Sequence, residues 1–91
     1  MIVTNNTIYI ISVSVNRWST ESGAGDGWFD IQPGDNESWS RSDSRGYIVS
    51  IASEGETISY FALSDSSIAV YQNFVEDDGR VIKPATDRYA P

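Results

Sequence analysis

Thr7-Ile8-Tyr9-Ile10-Ile11-Ser12-Val13-Ser14-Val15-Asn16-Arg17 is the stretch that decides the fold. In an extended chain Tyr9, Ile11, Val13 and Val15 share one face, and Ser12, Ser14 and Asn16 share the other. Ile8 and Ile10 add apolar groups to the second face, so the first half of this strand is expected to be covered on both sides. No window of the 91 residues carries the i, i+3, i+4, i+7 stripe of a helix.

Working outward, the same period of two recurs between turn signals. Trp28 to Ile31 reads as a strand that stops at Pro33-Gly34, because proline lacks a ladder donor and Pro-Gly suits a tight turn. Glu37 to Arg41 follows, with Trp39 and the stem of Arg41 on one side. Gly46 to Ala52 puts Tyr47, Val49 and Ile51 on one face, and Glu54-Gly55-Glu56 turns the chain. Thr57 to Leu63 and Ser67 to Phe74 flank a Ser64-Asp65-Ser66 turn. Asp78-Gly79 is a hairpin signal between Phe74-Val75 and Val81-Ile82, and Pro84 ends the last strand. The expected fold is all-β: a small antiparallel β-sandwich or barrel of about seven short strands, one domain over 1–84. Ser19 to Gly27 is too small and polar to pack and is expected to be a mobile loop, and 85–91 a loose tail.

Composition removes whole classes of function. The chain has no cysteine and no histidine, which excludes Ser-His-Asp and Cys-His nucleophiles and the usual zinc, haem and iron–sulfur ligand sets. Thirteen acidic against six basic residues give a charge of −7, which repels phosphate backbones, so no nucleic-acid partner is expected. Asp35-Asn36-Glu37 and Glu76-Asp77-Asp78 lack the alternate ligand spacing of a calcium loop, and so small a chain offers no deep cleft around a carboxylate pair. Neither a metal, a cofactor nor an enzyme activity is expected. The opening MIVTNNTIYIISVSV has polar residues every second position and no basic start, so it reads as a strand, with no transmembrane segment and a cytoplasmic or signal-free secreted location. Were Met1 to replace a leader, the sequons Asn5-Asn6-Thr7 and Asn36-Glu37-Ser38 would be glycan acceptors.

The residues left over point to binding. Trp18, Trp28 and Trp39 bracket the polar loop and the Pro-Gly turn, with Asp26, Asp30, Asp35, Asn36 and Arg41 interleaved among them. Indole faces that take C–H surface beside carboxylates and amides that bind hydroxyls are the ingredients of a sugar site. Core filling is the competing use of large aromatics in a domain of this size. Trp18, at a strand end facing the loop, is the indole expected to be exposed. Asp78-Gly79-Arg80 and Arg41-Ser42-Asp43-Ser44-Arg45 could engage a partner, although a hairpin turn and a polar connection account for them.

The run Gly27-Trp28-Phe29-Asp30-Ile31-Gln32-Pro33-Gly34, then Trp39-Ser40-Arg41-Ser42-Asp43, then Gly46-Tyr47-Ile48-Val49-Ser50-Ile51, resembles the aegerolysins among small fungal β-sandwich proteins. The resemblance covers about a quarter of the chain. It implies a signal-free protein that recognises glycans or membrane lipids, and it assigns no functional residue.

These readings converge on a non-enzymatic carbohydrate-binding module or lectin with a glycan or glycoprotein partner. The alternatives are a protein-interaction domain and a lipid-recognising toxin component. A homodimer is expected because a small sheet without disulfides gains from covering an edge or face.

Overall fold

The structure is a computed structural model and describes residues 1–21 and 25–89. Among the described residues nine strands form two sheets: β1 (Ile2–Asn5), β2 (Ile11–Val15), β3 (Phe29–Ile31), β4 (Asn36–Ser38), β5 (Tyr47–Ser53), β6 (Glu56–Ala62), β7 (Ser67–Val70), β8 (Val75–Asp77) and β9 (Arg80–Ile82). One sheet has the order β4-β1-β7-β8-β9, the other β3-β2-β5-β6. The all-β sandwich is as expected. Two details differ: the strands number nine, and β1 runs parallel to β7, with Ile2 opposite Ser67 and Asn5 opposite Val70.

The core lies between the sheets, where the period of two sends alternate residues. Val3, Ile68, Val70 and Val75 from the first sheet meet Ile11, Val13, Val15, Ile31, Tyr47, Val49, Ile51, Tyr60 and Ala62 from the second. The predicted face of β5, Tyr47, Val49 and Ile51, is buried as read.

The deciding stretch itself needs correction. Only Ile11–Val15 of it is strand; Thr7–Ile10 belongs to the connection between Asn5, at the end of β1 in one sheet, and Ile11, at the start of β2 in the other. Ile8 is 70 % exposed, and Tyr9 and Ile10 also face water, so neither face of that segment is covered. The cause is Asn5, whose side chain is fully buried. Its Nδ2 donates to the carbonyls of Tyr9 (2.7 Å) and Ile31 (2.9 Å), while its Oδ1 accepts from the Thr7 amide (2.9 Å) and the Thr7 hydroxyl (2.7 Å). An Asx turn of this kind offers the backbone an alternative to the ladder. Asn5 is therefore not an available glycan acceptor in the folded chain. Asn36, on edge strand β4, is exposed.

Turn chemistry was read well. Glu54 and Gly55 have φ of 51° and 79°, and Asp78 and Gly79 have 50° and 81°, the paired positive values of hairpin turns that match strand twist. Of the expected mobile loop, Ser19–Glu21 forms a single 3₁₀ turn, and residues 22–24 of that expectation lie outside the described residues. The tail is tied to the second sheet at one point, where the Ala85 amide donates to the Ser59 carbonyl at 2.8 Å. Residues 90–91 lie outside the described residues.

Candidate functional site

Topology separates the predicted site residues. The segments 16–21, 25–28, 39–46, 63–66 and 78–79 lie at one end of the sandwich, whereas 6–10, 32–35, 54–55 and 71–74 lie at the other. Trp18, Asp26, Trp28, Trp39 and Arg41 belong to the first end, Asp35 and Asn36 to the second, and Asp30 sits within β3. They do not form one constellation.

At the first end most of the polar groups are consumed by one another. Trp39 is 6 % exposed and part of the core, with the Phe29 ring edge-on to it at 6.0 Å. Trp18 is partly buried, contrary to the expectation that it would be the exposed indole. Its Nε1 donates to the Gly46 carbonyl at 2.9 Å, and the Arg45 guanidinium lies 3.5 Å from its ring centroid. Its stacking face is thus taken by a cation that Asp43 holds in a two-pronged contact. Trp28 is the open indole, 54 % exposed.

Arg41 is buried, and its guanidinium donates to the carbonyls of Asn16 (2.9 Å), Ser40 (3.0 Å), Val15 (3.0 Å) and Gly25. It clamps three backbone segments, at 15–16, 25 and 40, and has no fork left for a ligand. The Asp26 carboxylate pairs with Arg17, and Asp30 accepts from the Ser12 hydroxyl at 2.5 Å. Glu21, which sequence reasoning passed over, accepts from the amides of Trp18 and Ser42 and from the Tyr47 hydroxyl at 2.7 Å. The Trp18 amide first, then the Tyr47 hydroxyl and the Ser42 amide, hold its carboxyl below the usual range against the opposing effect of burial.

The second end is different. A groove of about 290 Å³ opens between the sheets, walled by Tyr9, Tyr60, Tyr71 and Phe74, floored by Ile51, Ile58, Val70 and Val75, and rimmed by Ser53, Glu54, Glu56, Gln72 and Asn73. Strand parity makes it. Residues 56, 58, 60 and 62 of β6 point inward, so the series Ala62, Tyr60, Ile58, Glu56 runs from core to carboxylate and the interior meets water there. The β7–β8 hairpin supplies the opposite wall. Its turn is closed by the Tyr71 amide on the Phe74 carbonyl at 2.9 Å, which brings the two rings into a stack at 4.7 Å and 19°.

Asn5 holds the third wall by fixing the Tyr9 carbonyl. The Thr7 hydroxyl is used internally, on Asn5 and Tyr9. The Gln72 and Asn73 amides and the Tyr9, Tyr60 and Tyr71 hydroxyls have no partner among the described residues. Burial, and after it the Glu56 charge, pushes the Tyr60 phenol above its ordinary value, so it stays a donor.

Sequence reasoning missed this groove because it followed tryptophan. The available signal was Tyr71-Gln72-Asn73-Phe74, two aromatics bracketing two amides at a hairpin, with Glu56 on the parity of Tyr60.

Among the described residues no group of His, Cys, Asp or Glu is arranged to hold a metal, and no helix is long and apolar enough to cross a membrane. Fold and groove define a small β-sandwich with an aromatic, amide-rimmed cleft at one end. No protein-family model, curated protein or solved structure matches the chain.

Proposed function

We propose that this chain is a non-enzymatic carbohydrate-binding protein whose site is the Tyr9–Tyr60–Tyr71–Phe74 groove. The observation that carries the reading is the combination, in one concavity, of ring faces for the C–H side of a sugar and unpartnered amides and phenols for its hydroxyls. The volume of about 290 Å³ is near the lower bound of small-molecule sites, about 300 Å³, which suits a short saccharide. Both carboxylates, Glu54 and Glu56, belong to the β5–β6 hairpin rim, whereas glycosidic cleavage needs acids flanking the bond, so the groove is built for holding and not for cutting.

The test is a glycan array followed by calorimetry on the best binder. Tyr71→Ala should weaken binding about 10- to 100-fold, the range of a hot-spot aromatic, with only a small drop in unfolding midpoint because Tyr71 is half-buried and lies outside the core. Trp28→Ala should leave affinity unchanged. The reverse pattern would move the site to the tryptophan end, and an array with no binder would end the carbohydrate reading.

A protein partner is the second reading, favoured by a different face. Ile48 and Phe61 are cross-strand neighbours on the outside of the second sheet, Leu63 follows on the same parity, and all three are exposed. A second copy of this chain seated there would give the expected homodimer.

A further inference from the structure

Every charged side chain that lines the groove is an acid. Glu54 and Glu56 stand on its rim, and no lysine or arginine lines it. The basic residues do not line it: Arg17 is on Asp26, Arg45 on Asp43, Arg41 is buried, Arg88 lies against Tyr89, Arg80 is at the opposite end of β9, and Lys83, which follows β9 at this end, is 3.8 Å from Asp87. Neither Glu54 nor Glu56 forms an ion pair among the described residues. Aromatic rings line the same space and offer no positive charge to it, and the whole chain carries −7. A neutral sugar uses the rings and amides but leaves this field unanswered. A ligand with a positive charge beside a sugar ring answers all of it.

We propose that the groove selects a cationic amino sugar, a saccharide with a free ammonium group, over its neutral or N-acetylated counterparts. The proposal rests on the carbohydrate reading of the same groove and names its ligand class. The ring stacks on the Tyr71–Phe74 pair, Gln72 and Asn73 take hydroxyls, and the ammonium lies towards Glu56 and Tyr60. The two sit on one inward-facing strand, and the Glu56 carboxylate acts on the Tyr60 phenol.

The experiment is calorimetric titration of the intact chain, in mildly acidic low-salt buffer, with a glucosamine trisaccharide, its N-acetylated form, and choline. The glucosamine trisaccharide should bind about tenfold more tightly than the N-acetylated one, a gain of about 1.4 kcal/mol. Glu56→Gln, which keeps shape and removes charge, should abolish that preference by weakening the glucosamine trisaccharide about tenfold relative to the N-acetylated one, and Tyr71→Ala should weaken both. Equal binding of the two trisaccharides, or a preference that survives Glu56→Gln, overturns the inference and leaves the carbohydrate reading intact. Binding of neither overturns both. Choline, an ammonium without a sugar ring, should bind more weakly than the glucosamine trisaccharide. Equal binding would make the groove a plain ammonium cage and overturn the sugar half of the proposal.

Discussion

Asn5 uses both amide protons and both lone-pair directions of its side chain, and its backbone also exchanges bonds with the turn after β3, through the Asp35 carbonyl and the Gly34 amide. One residue therefore fixes the break between β1 and β2, the end of β3 and the Tyr9 wall of the groove. Asn5→Ala would leave the Ile31 carbonyl and the Thr7 amide without their partner and the Tyr9 carbonyl with the Thr7 hydroxyl alone, and buried orphans are costly. The expected loss is about 2 to 4 kcal/mol by denaturant unfolding. Thr7→Ala, which removes one hydroxyl from the same cluster, should cost about 1 kcal/mol. Near-equal losses would show that Asn5 is not the hub. Nothing local in Asn5-Asn6-Thr7 announces burial. The segment reads as a sequon before an apolar run, and only the second sheet supplies the Ile31 carbonyl that makes the turn preferable to a continuous strand.

Hairpins were the legible elements, because a two-residue turn with positive φ writes its requirement into the sequence as Glu54-Gly55 and Asp78-Gly79. Strand ends were not. Ser67 to Phe74 was read as one strand, yet pairing stops at Val70, where the chain must already turn towards β8. The groove lies in that misread segment, so Tyr71 and Phe74 passed as strand residues. Gly46 is a quieter case of the same kind. Its φ of 93° lets the chain enter β5, and a methyl placed there would run into the Phe61 ring, which lies across it from β6. Gly46→Ala should destabilise by about 1 to 2 kcal/mol, mostly from the left-handed backbone, since the half-exposed ring can swing away. Adding Phe61→Ala tests that partition. In that background the Gly46→Ala cost should fall only slightly, and its disappearance would assign the whole effect to the ring.

At the scale of the molecule the two ends are used differently, and pH is the variable that reports on the closed one. The sequence grouped tryptophans and acids that the fold divides between the two ends, and it could not show that those at the closed end satisfy each other across 20 to 30 residues, as Glu21 does with Tyr47 and Arg41 with Val15. Asp43 has its carboxyl lowered to about 2, first by the Arg45 side chain and then by the Arg45 amide, and the Glu21 carboxyl is lowered by the bonds already described. A carboxylate whose folded value lies below its unfolded one stabilises the fold above the unfolded value, and that stability is lost as pH falls through the folded value. For Asp43 the window runs from its ordinary 3.8 down to about 2. Tyr47 acts in the opposite sense: burial, followed by the Glu21 bond, raises its phenol above 10, so the neutral form favours the fold until pH climbs past that region. Thermal midpoints should therefore be level between mildly acidic and mildly alkaline buffer, fall steeply below about pH 4, and fall again above about pH 10. Asp43→Asn and Glu21→Gln should lower the midpoint at neutral pH and flatten the acid limb. Tyr47→Phe should reduce the alkaline fall, leaving the part due to the buried Tyr60 phenol, and should flatten the acid limb only by the share that the Tyr47 hydroxyl contributes to Glu21. A parent chain whose midpoint is unchanged from neutral pH down to pH 2 would show that these carboxylates do not hold the closed end together.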